Sequence, residues 1–76
     1  MSAVDVRRAE ALFVSGLDPA EHPTGEQVRR AVEVELVVGD CPARMAQEFG
    51  DHPDTACRRM RWCRAAVRLA FAPASV

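Results

Sequence analysis

From Pro53 to Phe71 the chain runs 19 residues without a glycine or an internal proline. This stretch constrains the fold more than any other. At 100° per residue, Ala56, Met60, Cys63, Val67 and Ala70 fall within about 80° of arc, which makes a narrow apolar stripe on one helix. Such a helix, about 53–71, is roughly 28 Å long at 1.5 Å per residue. A rod of that length occupies a quarter of a 76-residue chain. The rest of the chain has to pack along it, so the expected architecture is an all-α bundle.

The punctuation upstream divides residues 1–52 into three further helices. Ser2 followed by Asp5 has the spacing of a capping box, and Val6, Ala9, Phe13 and Leu17 recur at helical intervals, which predicts a first helix over about 3–15 with Gly16 as a left-handed exit. Asp18-Pro19 and His22-Pro23 then break the chain into a loop. Thr24 with Gln27 caps a second helix over about 24–38. Its dry face is Val28, Ala31, Val32 and Leu36, and Glu26/Arg30 and Arg29/Glu33 are one turn apart on its wet face. Gly39 closes it and Asp40 caps a short third helix, about 41–49, with Met45, Ala46 and Phe49 inward and Gly50 as its stop. Asp51-His52-Pro53-Asp54 opens the last helix, with proline in the first turn and acids at the positive end of the helix dipole. His22-Pro23 and His52-Pro53 both read as helix-start punctuation.

Residues 32–38, Val-Glu-Val-Glu-Leu-Val-Val, alternate with period two and are rich in β-branched side chains, a pattern equally suited to a strand. A lone strand has no partner elsewhere in this chain, so the helix is retained, with a frayed or surface-apolar end at Val34, Val37 and Val38. The expectation is a single domain, residues 1–76: a small four-helix bundle with a short third helix and a long C-terminal one.

Composition narrows the function classes. All ten cationic residues are arginine, with no lysine and no tyrosine. The lack of lysine removes P-loop phosphate binding and Schiff-base chemistry, both of which need a primary amine. No apolar run approaches the ~20 residues of a membrane helix and the N-terminus has no signal-peptide core, so no membrane partner and a cytoplasmic location are expected. Three cysteines at positions 41, 57 and 63 form no disulfide framework and read as buried thiols. Cys41, Cys57, Cys63 and His52 lack the Cys-x-x-Cys pairing of zinc sites, and Cys57 with His52 lacks a readable orienting shell for nucleophilic catalysis. No metal, no cofactor and no catalytic residue is expected.

The net charge of −1 hides a split. Residues 1–40 carry four Arg against eight acids, and residues 41–76 six Arg against three acids. On the last helix Arg58, Arg61, Arg64 and Arg68 share one flank, while Trp62, Ala66 and Leu69 share another away from the core stripe. Two apolar sides separated by charge predict a protein contact at Trp62, Ala66 and Leu69, most simply a homodimer, since chains this small often gain stability from a second copy. The arginine flank admits a second reading, nucleic-acid binding.

Residues 46–62 resemble a helix-turn-helix: Ala46 lies four before a turn glycine, Gly50, and His52-Pro53-Asp54-Thr55 leads into a helix with Ala56 and Met60 at buried positions. The position after the turn glycine, apolar in that family, is Asp51 here. Over residues 11–68 the Ala-Leu-Phe, His-Pro-Thr, Gln-Glu-Phe-Gly-Asp-His-Pro-Asp-Thr and Arg-Met-Arg-Trp segments resemble small uncharacterised helical proteins of Arg- and Ala-rich actinobacterial proteomes. The first resemblance implies a DNA-binding regulator that uses the last helix; the second implies no chemistry. The leading expectation is a non-enzymatic, self-associating helical interaction module.

Overall fold

The structure, a computed structural model, describes residues 2–73. Four α-helices follow one another, α1 (Ala3–Val14), α2 (Gly25–Val38), α3 (Cys41–Asp51) and α4 (Pro53–Ala70), with one 3-10 turn (Pro19–Glu21) between the first two. No strand occurs among the described residues, so the alternating 32–38 segment is helical. Val28 and Val32 bury one side of α2, and that burial outweighs the weak β-propensity of its valines.

The long helix is the spine. α1, α2 and α3 all pack on α4, and Ala56, Met60, Cys63, Val67 and Ala70 are buried, the stripe expected from the spacing. Opposite it lie Ala9, Leu12 and Phe13 of α1 and Val28 and Val32 of α2, with Cys41 of α3 at one edge. Burial of each large apolar side chain stabilises the fold by roughly 1.5–3 kcal/mol. Phe49 of α3 stacks on Phe13 with ring centroids 5.5 Å apart, which fastens the shortest helix to the first.

Caps are made where side chains reach, and several ends differ from expectation. Ser2 Oγ accepts the Asp5 N–H at 3.1 Å, and the Thr24/Gln27 capping box closes reciprocally at 3.1 and 2.8 Å. Gly16 is not a left-handed exit, because Gly39 (φ 85°) is the only described glycine with positive φ. Ser15, extended, ends α1 instead. Gly50 does not stop α3, which continues through it to Asp51, so that a single residue, His52, separates α3 from α4. A glycine costs a helix only about 1 kcal/mol, too little to end one whose next turn packs. Neither Asp40 nor His52 caps with its side chain. Asp40 instead adopts left-handed backbone (φ 58°) to turn the chain between α2 and α3.

The expected wet-face pairs of α2 also rearrange. Neither Glu26/Arg30 nor Arg29/Glu33 is within ion-pair distance among the described residues, and Arg29 Nη1 donates to the Ala70 carbonyl at 2.8 Å. Leu36 and Ala46, expected inside, are exposed. No residue of α2 beyond Val32 is buried, and α3 turns Met45 and Phe49 inward but not Ala46.

Candidate functional site: arginines on α4 and the apolar surfaces

Successive positions on one α-helix alternate between neighbours and solvent, so five arginines on α4 meet different fates. Arg59 points along the bundle and donates to four backbone carbonyls at the end of α1 and the loop beyond it. Nε reaches Phe13 O at 2.8 Å, Nη1 reaches Leu17 O at 3.0 Å, and Nη2 reaches Ser15 O at 2.9 Å and Leu12 O at 3.3 Å. The last carbonyls of a helix have no intrahelical donor, and a cation there opposes the negative end of its dipole. The same guanidinium lies 5.7 Å from the centres of both the Phe13 and Trp62 rings, within the range of cation–π attraction. Sequence reading missed this residue. The signal was faint: Arg59 lies at the edge of the core stripe, off the flank shared by the other four.

Arg58, Arg61, Arg64 and Arg68 are exposed, and no carboxylate comes within ion-pair distance of them among the described residues. Asp54 is the one acid on α4. The helix therefore keeps a buried apolar side, one inward arginine and a solvent side that is strongly basic.

The expected contact residues Trp62, Ala66 and Leu69 differ in exposure. Trp62 and Ala66 are half-buried and pack against the core, whereas Leu69 is 82% exposed. They line a shallow groove of about 440 Å³ whose other wall is Pro19, Pro23 and Val28. A second apolar surface lies on α2. Val34, Val37 and Val38 are 53%, 88% and 65% exposed on the side away from the core. Val4 of α1 and Leu36 of α2 share a shallow cavity of about 350 Å³ with Arg7 and Arg8, on a different side of α2 from the three valines.

The thiols are not brought together. Cys63 is fully buried in the core, and burial pushes it up to about 11 despite the nearby Arg59 cation. Cys41 is buried, its thiol is likewise raised by desolvation, and its Sγ–H donates to Glu35 O at 3.5 Å. Cys57 is exposed on the solvent side of α4. Among the described residues no group of three or more His, Cys, Asp or Glu is placed to hold a metal ion. A nucleophilic cysteine needs a lowered pKa and an oriented base, and the two buried thiols are displaced the other way.

In the 46–62 segment α3 leads through the single residue His52 into α4, and Gly50 lies inside α3 and not in a turn. No helix among the described residues is long and apolar enough to cross a membrane. No protein-family model, curated protein or solved structure matches the chain.

Proposed function

We propose that this chain is a non-enzymatic helical interaction module that pairs with a second copy of itself through the outer face of α2. The observation carrying this reading is the stripe Val34, Val37 and Val38, which faces water on the side of α2 opposite its buried residues. A helix that needed only its own core would place polar residues there. Large contiguous apolar surfaces on small proteins mark contacts.

Charge favours α2 over α4 as the contact between copies. A two-fold contact sets the same patch against itself. Across the outer face of α4 that would oppose Arg58, Arg61, Arg64 and Arg68 with their own copies. Around the α2 valines the flanking residues Glu26, Arg30 and Glu33 are of both signs, so an antiparallel pairing brings opposite charges into reach. A 14-residue helix is about 21 Å long, which provides a contact at the small end of specific interfaces, below about 1,200 Å² in total, where association is weak and reversible.

Light scattering tests the reading. Wild type should show a mass rising towards two chains at tens of micromolar, and Val37→Asp should stay at one chain with unchanged helical circular dichroism. A wild-type mass of one chain throughout refutes self-association. Should Leu69→Asp, and not Val37→Asp, abolish the dimer, the contact belongs to the Trp62, Ala66 and Leu69 groove instead.

A further inference from the structure

We infer that the solvent face of α4 is a binding surface for the phosphodiester backbone of a nucleic-acid duplex, with Arg58, Arg61, Arg64 and Arg68 as the contacting cations and no reading of base sequence. The argument starts from how the chain uses its arginines. Arg59, Arg44 and Arg29 are tied to carbonyls or a carboxylate inside the fold, and Arg8 lies 4.1 Å over the Phe71 ring. The four on the outer face of α4 have no such partner among the described residues. Apart from Asp54, four residues before Arg58, their helical neighbours are one another: 58/61 and 61/64 at i,i+3, and 64/68 at i,i+4. Like charges at these spacings destabilise a helix by a few tenths of a kcal/mol per pair. Alternation with glutamate, as in Glu26/Arg30 of α2, would have avoided that cost. A row kept cationic against its own repulsion is suited to an external anion.

The row suits a repeating polyanion. Ten residues at 1.5 Å place Arg58 and Arg68 about 15 Å apart along the axis, long enough to meet several phosphates of a duplex, whose two strands together carry one charge per about 1.7 Å of axis. Guanidinium forks suit phosphate oxygens. Asp51 at the end of α3 and Asp54 in the first turn of α4 repel phosphate, so the helix meets the backbone along its middle and C-terminal turns. Its N-terminal residues, which read bases in a helix-turn-helix protein, stay away, hence the absence of sequence readout.

Fluorescence anisotropy of the full chain with a labelled 24-base-pair DNA duplex tests this, with a second duplex of unrelated sequence and a matched RNA duplex alongside. Binding at 50 mM salt should be equal within threefold for the two DNA sequences. It should weaken roughly a hundredfold by 200 mM, the dependence for about four neutralised phosphates. The triple variant Arg58→Ala/Arg61→Ala/Arg68→Ala should lose at least tenfold at 50 mM while keeping its circular dichroism, and the corresponding triple Lys variant should retain most of the affinity. Binding of DNA, RNA or both supports the inference and names the source of the backbone. It is overturned by no duplex binding at 50 mM, by a triple Ala variant that binds like wild type, by equal loss from Arg7→Ala/Arg30→Ala, by strong preference for one sequence, or by poly-glutamate binding as tightly as either duplex.

Discussion

The C-terminal ends of α1 and α2 solve the same problem in opposite ways. α1 ends in carbonyls that a distant side chain satisfies: Arg59, more than forty residues further on, donates to four of them and lies against two aromatic rings. α2 ends on local chain. Gly39 and Asp40 adopt positive φ, the Gly39 N–H returns to Glu35 O at 2.9 Å, and Arg44 reaches Glu35 Oε1 at 2.8 Å. The first end is locked into the tertiary structure. The second is closed without using its outer face, so its valines can face water and be available for a contact.

Breaking the locked end should have the largest effect. Arg59→Ala removes every donor to Phe13 O, Leu17 O and Ser15 O that this side chain supplies and leaves partly buried acceptors with less hydration than in the unfolded chain. Hydrogen bonds from a charged group contribute about 1.5–3 kcal/mol each and do not add, so about 3 kcal/mol or more is expected. At about 4–8 °C per kcal/mol for a domain of this size, thermal melting should fall by more than ~12 °C. Arg59→Lys should recover only part, because an ammonium cannot span the four acceptors as the planar fork does. A melting shift below ~4 °C for the alanine variant would mean that the Phe13 and Leu12 packing alone holds this end.

Cys63 belongs to the same locked region, and its effect should rank second. Serine at this fully buried position places a hydroxyl in an apolar site with no assured partner, costing about 1–3 kcal/mol. The thiol also gives a pH signature. Its folded-state pKa of about 11 lies above the ordinary value of 9.0, so above about pH 9 the unfolded chain releases a proton that the folded chain retains. Stability is therefore fully present below pH 9 and declines as pH rises towards 11. Cys41, raised in the same direction, adds to the decline. Urea midpoints measured from pH 8 to 11 should fall for wild type and fall less for Cys63→Ala. Equal slopes for the two proteins would detach Cys63 from the alkaline loss.

What was legible in the sequence follows the range of the interactions. The four helices, the Thr24/Gln27 box and the Ala56/Met60/Cys63/Val67/Ala70 stripe are set by residues three to four apart, and periodicity shows them. The exposed end at Val34, Val37 and Val38 was legible for the same reason. The Arg59 contacts were not, because they join residues more than forty apart and an arginine at the edge of a stripe looks like any other surface cation. Gly50 and Gly16 misled because a glycine permits left-handed backbone without requiring it. Packing beyond Gly50 and the extended Ser15 decided those two ends. Trp62 looked free because its angle on α4 departs from the stripe, yet the 19–25 segment and Arg59 partly cover it.

The locally closed end should respond more modestly. Gly39 has φ 85° and no heavy atom within 4 Å of where a Cβ would lie, so Gly39→Ala tests backbone conformation alone. About 1–2 kcal/mol of destabilisation is expected, because φ 85° with ψ −175° is a backbone region essentially confined to glycine. Asp40→Gly, at φ 58°, should be neutral or slightly stabilising, since glycine adopts that conformation without strain and the Asp40 side chain caps nothing. Denaturant midpoints that rank Gly39→Ala above wild type would show that the α2–α3 turn relaxes to another geometry.

The smallest effect sharpens the contrast most. Val37 is 88% exposed, so within one chain Val37→Asp should change stability by no more than about 0.5 kcal/mol, the usual range for surface substitutions away from special features. Its consequence should appear only in the dependence on concentration. Association stabilises a folded species by mass action, so the wild-type melting temperature should rise by a few degrees between low and high micromolar protein, whereas that of Val37→Asp should not move. Scanning calorimetry at three concentrations measures both quantities at once. A flat wild-type series would remove the α2 face from consideration as a contact between copies. A Val37→Asp variant strongly destabilised even at the lowest concentration would mean that this residue supports the single chain after all, and the division between a locked end and an open one would fail at that point.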